Sequence, residues 1–212
     1  MIDTKFDNNE PVAQHNSRAN LESLLNEIIQ QPERRAEIAQ NIDAAFGQDK
    51  VILVLDMSGF SRTTQRHGIV SFLLMIHEMQ LIARPSLQTH GGLLVKAEAD
   101  NLFCLFDTVD AAVGASREIR DRLNVANMLL PEDHRLYVSI GIGYGRILNV
   151  GDHDLFGDEV NLASKLGEDM AQRGEILLTA NAHAALQDAT IQTREETVSI
   201  SGLSLAYHVV QS

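Results

Sequence analysis

The polarity pattern divides the chain into a polar start, a helical pair and a longer alternation of strands and helices. Residues 1–16 are polar and aperiodic, which predicts a flexible N-terminus. From Ser17, Leu21, Leu24, Leu25, Ile28 and Ile29 recur at helical spacing, Pro32 interrupts them, and Ile38, Ile42, Ala45 and Phe46 share the face of a second helix. Residues 17–46 thus read as a helical N-terminal extension, which either regulates or dimerises the chain or simply packs on the main unit. That main unit spans residues 50–210. It opens on the apolar run Val51–Leu55, which suits a fully buried strand. A long helix with a stripe of Ile69, Phe72, Leu73, Ile76 and Met79 comes next, closed by Gly91-Gly92. Leu93–Val95 and Leu102–Phe106 read as a hairpin around a turn at 98–101. Then come a helix over 110–127, a glycine-punctuated strand over 136–148, a helix from Gly157, a strand over 175–179, a helix over 180–187, and strands near 191–200 and 205–210. This order predicts an α+β sandwich derived from the ferredoxin-like pattern: a mostly antiparallel sheet with helices covering one face.

Composition narrows the partners. With 17 Lys+Arg against 29 Asp+Glu and a net charge of -12, the chain lacks the clustered cations that coat nucleic acid. No apolar run is long enough to span a bilayer and no signal peptide is evident, so a cytoplasmic protein without a membrane span is expected. Cys104, the one cysteine, lies inside an apolar strand and reads as a small buried hydrophobe. The eight histidines show no metal-ligand spacing.

Three segments carry candidate chemistry. In Val54–Arg62, Asp56 stands where a buried strand emerges, just before a small turn and a helix start. Such a carboxylate either caps the helix or holds Mg²⁺ or Mn²⁺ against phosphates bound by the helix N-terminus. In Lys96–Asn101, Asp100 is either a turn former or, if strands 51–56 and 93–97 are neighbours, a second carboxylate near Asp56. Two such groups repel unless cations lie between them, the arrangement of two-metal phosphoryl chemistry. In Asp154–Leu166, Asn161 and Lys165 fall four apart on one helix face, either a solvated face or a pair serving charge on phosphate.

Taken together and in this order, the three segments resemble the class III adenylate/guanylate cyclase catalytic domain over roughly residues 50–210; Gly141-Ile142-Gly143 and Gly174–Leu177 fit as well. The resemblance implies that Asp56, Asp100 and the Met57 carbonyl bind two Mg²⁺ or Mn²⁺ ions per active site, and that the backbone around Gly59, Phe60 and Ser61 cradles the triphosphate. It implies that Lys96 and Asp154 read adenine, Lys donating to N1 and Asp accepting from the N6 amino group, a pair guanine would mismatch. Asn161 then positions the ribose and transition state. It further implies a homodimer whose shared sites each draw metal ligands from one chain and base readers from the other, converting ATP to 3′,5′-cyclic AMP and pyrophosphate by in-line attack of the 3′-oxygen.

The match departs at three positions. Ala99 stands where the family has glycine, so a positive φ there would strain the turn. Lys165 replaces an arginine that stabilises the transition state, keeping the charge without the bidentate fork. Ser201 replaces a triphosphate-contacting lysine, for which Arg62 is the candidate substitute. These losses favour an alternative, a weak or inactive cyclase-fold module that binds nucleotide or dimerises. Retention of two of only four lysines at nucleotide-facing positions opposes it. A cyclase for another nucleotide and a two-metal hydrolase are the remaining readings.

Overall fold

The computed structural model describes the backbone of residues 16–58, 60–200 and 203–211, and the side chains of these apart from 60–67, 200 and 203. Helix α1 (Arg18–Gln30) starts at Ser17, whose hydroxyl accepts from the Asn20 amide. A single 3₁₀ turn, Pro32–Arg34, separates it from α2 (Arg35–Phe46). Strand β1 (Gly47–Met57) begins at once. Leu21, Leu24, Ile38, Ile42 and Phe46 close a small core over Leu148 and Val150, so the helical pair packs on the sheet.

Helix α3 (Phe60–Thr89) is broken at Gly68, whose φ of 79° is not helical. Then come β2 (Leu93–Glu98), β3 (Asn101–Phe106), α4 (Val109–Asn127), β4 (Val138–Val150) and β5 (Asp154–Phe156). Helix α5 (Asp158–Ser164) continues as a π-helical stretch, Lys165–Met170. Strand β6 (Ile176–Thr179), α6 (Ala180–Ala184), β7 (Thr193–Ile200) and β8 (Leu203–Val210) complete the chain.

The sheet runs β2-β3-β1-β4-β6-β8-β7, with β5 on β4; β4–β6 is its parallel pair. Elements β1 through β4 form a β-α-β-β-α-β unit in the ferredoxin-like strand order, as expected. Alternation along β1 divides the core: Val51, Leu53 and Leu55 meet α3 and α4, while Ile52 and Val54 meet Val160 and Ala163 of α5. Helices therefore cover both faces, not one. The second face is made possible by β4, where a β-carbon on Gly141 would lie 2.0 Å from the Ala163 carbonyl oxygen and one on Gly143 would lie 2.7 Å from that of Glu159. Only glycine lets α5 sit this close.

One condition is not met and one expectation is corrected. Strands β1 and β2 are not neighbours, because β3 lies between them. Along α3 the buried stripe is Phe72, Met75, Ile76, Met79, Ala83 and Leu87, whereas Ile69 and Leu73 are 59% and 56% exposed. Leu73 lies about 100° around the helix from Phe72, at the edge of the buried face, and Ile69 sits in the first turn after the break at Gly68. Cys104 is fully buried as expected, and burial pushes its thiol up to about 12.

Candidate active site

Asp56 and Asp100 come together through β3 rather than through β2. The antiparallel register pairs Leu55 with Leu102, so the strand end at Asp56 lies beside the start of β3 and the turn that precedes it. That turn is held by Ala99 with φ 51°, a left-handed conformation that costs any residue with a β-carbon. Asp56 is half-buried on the α5 face of the sheet, and its carboxyl is pushed up to about 7. Burial is the largest cause, followed by the negative charges of Asp100 and Glu168, with a smaller contribution from Asp169. Glu168 is also raised, by burial first and then by Asp169 and Asp100. Neither Glu168 nor Asp169 was singled out in the sequence. They reach the pair because the π-helical stretch crosses β1, where a β-carbon on Gly167 would lie 2.9 Å from the Val54 carbonyl oxygen.

The donor set fits a hard divalent cation. Asp56 and Asp100 are repelling carboxylates, and the neighbouring Asn101 Oδ1 is buried without a hydrogen-bond partner. Among the described residues, no group of three or more His, Cys, Asp or Glu forms a complete metal cage. Mg²⁺ is commonly held by one or two carboxylates plus substrate phosphates, which is the share this pair provides. The backbone of the turn after Asp56 is anchored to β4, the Ser58 amide donating to the Tyr137 carbonyl at 2.9 Å and the Ser58 and Ser139 hydroxyls lying 3.1 Å apart. Helix α3 begins two residues later at Phe60. Gly59, the side chains of Phe60, Ser61 and Arg62, and Ser201 lie outside the described residues.

The second cluster joins Lys96 to Asp154. Lys96 lies over the Phe103 ring, 4.6 Å from its centroid, and its ammonium donates to Asp154 Oδ1 at 3.2 Å. Glu98 is its second carboxylate partner, also at 3.2 Å. Both partners raise the Lys96 ammonium against the opposing effect of burial, the largest single contribution. Asp154 belongs to β5, a three-residue strand too short to be legible from periodicity. Its other oxygen accepts from Arg18 at 3.1 Å.

Asn161 and Lys165 lie on α5 and at its π-helical continuation; Asn161 is exposed and Lys165 partly so. The Lys165 ammonium donates to Asp169 Oδ2 at 2.8 Å. What fixes α5 is Glu159, which sequence reasoning missed. Its buried carboxylate accepts from the Tyr144 amide at 3.1 Å, the Thr179 hydroxyl at 2.7 Å and the Asn181 amide nitrogen at 2.6 Å. The signal available was an acidic residue at the start of a helix facing a Gly-x-Gly strand.

A half-buried carboxylate pair and a Lys–Asp pair on one face of a ferredoxin-like sheet define a nucleotide-cyclase type of architecture. The family described as "Adenylate and Guanylate cyclase catalytic domain" matches residues 47–211, and the chain belongs to it. Helices α1 and α2 lie outside that match. Over 139 residues the chain is 29% identical to the putative adenylate cyclase 3 of Rhizobium meliloti (strain 1021), covering 66% of this chain and 23% of that protein. In fold it is similar to the adenylyl cyclase CyaB from P. aeruginosa, with TM-score 0.66 and 21% identity over 78% of this chain and 96% of that one. It is likewise similar to the guanylyl cyclase Cya2, with TM-score 0.68 and 21% identity over 77% of this chain and 92% of that one. Among the described residues no helix is long and apolar enough to cross a membrane.

Proposed function

We propose that the chain converts ATP to 3′,5′-cyclic AMP and pyrophosphate, at sites shared between two copies. The observation that carries this reading is the Lys96–Asp154 pair at 3.2 Å, a donor beside an acceptor, on the sheet face that also bears Asp56. Adenine presents the complementary edge, an acceptor at N1 and a donor at the N6 amino group. Lys96 donates to N1, Asp154 accepts from the amino group, and guanine offers each of them the wrong partner. Asn161 orients the ribose, and Lys165 turns from Asp169 towards the phosphates as charge builds there. Asp56 and Asp100, with the Met57 carbonyl, hold two Mg²⁺ or Mn²⁺ ions in this reading. Bound there, such ions neutralise the phosphates and acidify the ribose 3′-hydroxyl. The exposed apolar side chains Ile69, Val70, Leu73 and Leu74 on α3 support association with a second copy.

A second reading, a nucleotide-binding module with little turnover, is favoured by the engagement of Lys165 with Asp169. One experiment separates the two. Purified protein is incubated with Mn²⁺ and each of ATP, GTP, CTP and UTP, and products are resolved chromatographically. Cyclic AMP, lost in Asp56→Ala, is the expected result; no cyclic product from any nucleotide despite dimer formation refutes the cyclase reading. In the doubly substituted Lys96→Glu, Asp154→Cys protein, ATP use should weaken relative to GTP. An unchanged ATP preference would overturn the base-reading assignment.

A further inference from the structure

Arg18 lies in the first turn of α1, outside the segment that matches the cyclase family, yet it touches the base-reading pair. Two contacts seat it there. The Asn16 amide oxygen accepts from the Gly151 amide at 2.6 Å, fixing the start of α1 against the turn that leads into β5. Glu22, one helical turn on, accepts from Arg18 Nε at 3.1 Å and orients the guanidinium. The small core of Leu21, Leu24, Ile38, Ile42, Phe46 and Val150 holds the helix in place behind them.

The carboxylate of Asp154 is divided between cations. Oδ1 accepts from Lys96 and from the Leu155 amide, at 3.2 and 3.0 Å, while Oδ2 accepts from Arg18 at 3.1 Å. Lys96 spends donors on both Asp154 and Glu98, so a base nitrogen competes with two carboxylates for the direction of the ammonium, and a weaker hold by Asp154 favours the base. Asp154 is only 26% exposed, so a carboxylate left there without a cation is disfavoured. Arg18, itself 63% exposed, offsets part of that penalty.

We propose that Arg18 is a specificity-determining positioning residue of the base site, holding the Asp154 charge so that Lys96 is released to adenine N1. The proposal rests on the ATP reading and makes the helical extension a working part of base recognition. Guanine offers Lys96 no acceptor at N1, so the benefit is confined to ATP.

The test compares wild type, Arg18→Ala and Arg18→Lys as intact chains. In steady-state assays with Mn²⁺, Arg18→Ala should raise KM for ATP about three- to fivefold, the range of a partly exposed ion pair, with kcat and the KM for GTP unchanged. Arg18→Lys should recover most of the loss. Without nucleotide, the Lys96 ammonium, one of only four in the chain, is followed by ¹⁵N NMR. Its proton exchange should slow in Arg18→Ala, because Asp154 then depends on Lys96. An unchanged KM with unchanged exchange overturns the proposal, as does a fall in KM for ATP, which would make Arg18 an obstruction. If wild type neither binds nor cyclises ATP, the ATP reading fails, and ammonium exchange alone decides whether Arg18 governs the Lys96–Asp154 pair.

Discussion

Asp56 is held where its ionised form is costly, and this gives a stability effect with a defined pH window. Its carboxyl is raised from an ordinary 3.8 to about 7 by burial and by the neighbouring acidic groups. The folded chain therefore keeps a proton on Asp56 that the unfolded chain releases near 3.8. Stability from this group is complete below that value, falls as pH rises, and is gone once pH passes about 7. A displacement of this size is worth about 4 kcal/mol. Water access and relaxation around a half-buried carboxylate bring the expected figure to about 2 kcal/mol. Asp56→Asn removes the ionisation while keeping the shape. In chelator, urea unfolding should find Asp56→Asn more stable than wild type by about 2 kcal/mol at pH 8, the difference shrinking through pH 6 and vanishing near pH 4. Mn²⁺ should reverse the order, because a ligand at a hundred times its Kd stabilises wild type by about 2.7 kcal/mol and has lost a carboxylate in the variant. Equal stability of the two proteins at pH 8 in chelator would refute the argument, showing that the charge on Asp56 is solvated as in water.

Three other outcomes rest on single residues. Ala99→Gly relieves a left-handed alanine at a cost in unfolded-chain entropy, and should stabilise the protein by about 0.5–1 kcal/mol, read as a small rise in Tm. Glu159→Ala strips three donors of their acceptor, of which the Thr179 hydroxyl is buried, and should destabilise by about 2 kcal/mol in calorimetry, with a fall in kcat because Asn161 loses its support. Lys165→Arg restores a planar fork able to grip phosphate in two places, and should raise kcat several-fold with little change in KM; a fall in kcat would show that the pair with Asp169 is required.

How much of this was legible depended on the range over which each feature is encoded. Strand β1 running out at Asp56 and Met57, the hairpin turning at Ala99 and Asp100, and α4 were readable because periodicity and turn chemistry are local. So was the spacing of Asp154, Asn161 and Lys165. The placement of α5 on the second face was not read, although Gly141 and Gly143 carried the signal: two glycines at a period of two mark one strand face stripped for close packing. Strand β5 escaped because three residues show no period. Arg18, Glu159 and Glu168 escaped for a different reason. Each acts across 20 residues or more of sequence or across a helix–sheet contact, and single-chain pattern says nothing of such partners.

The acidic balance of the chain takes on a specific meaning at the site. Glu98, Glu168 and Asp169 all act on or beside the groups assigned to the nucleotide, and Lys96 and Lys165 are each tied to one or more of these carboxylates. A triphosphate approaching such a surface meets repulsion that two neutralised lysines do not offset. Divalent charge delivered with the nucleotide would lessen that repulsion, because the acidic groups that repel the triphosphate attract the cation it carries. Glu168→Gln should therefore weaken the dependence of the rate on Mn²⁺ at low salt and leave it little altered at high salt, where screening already removes the field. An effect independent of salt would instead place Glu168 in direct contact with the reacting groups.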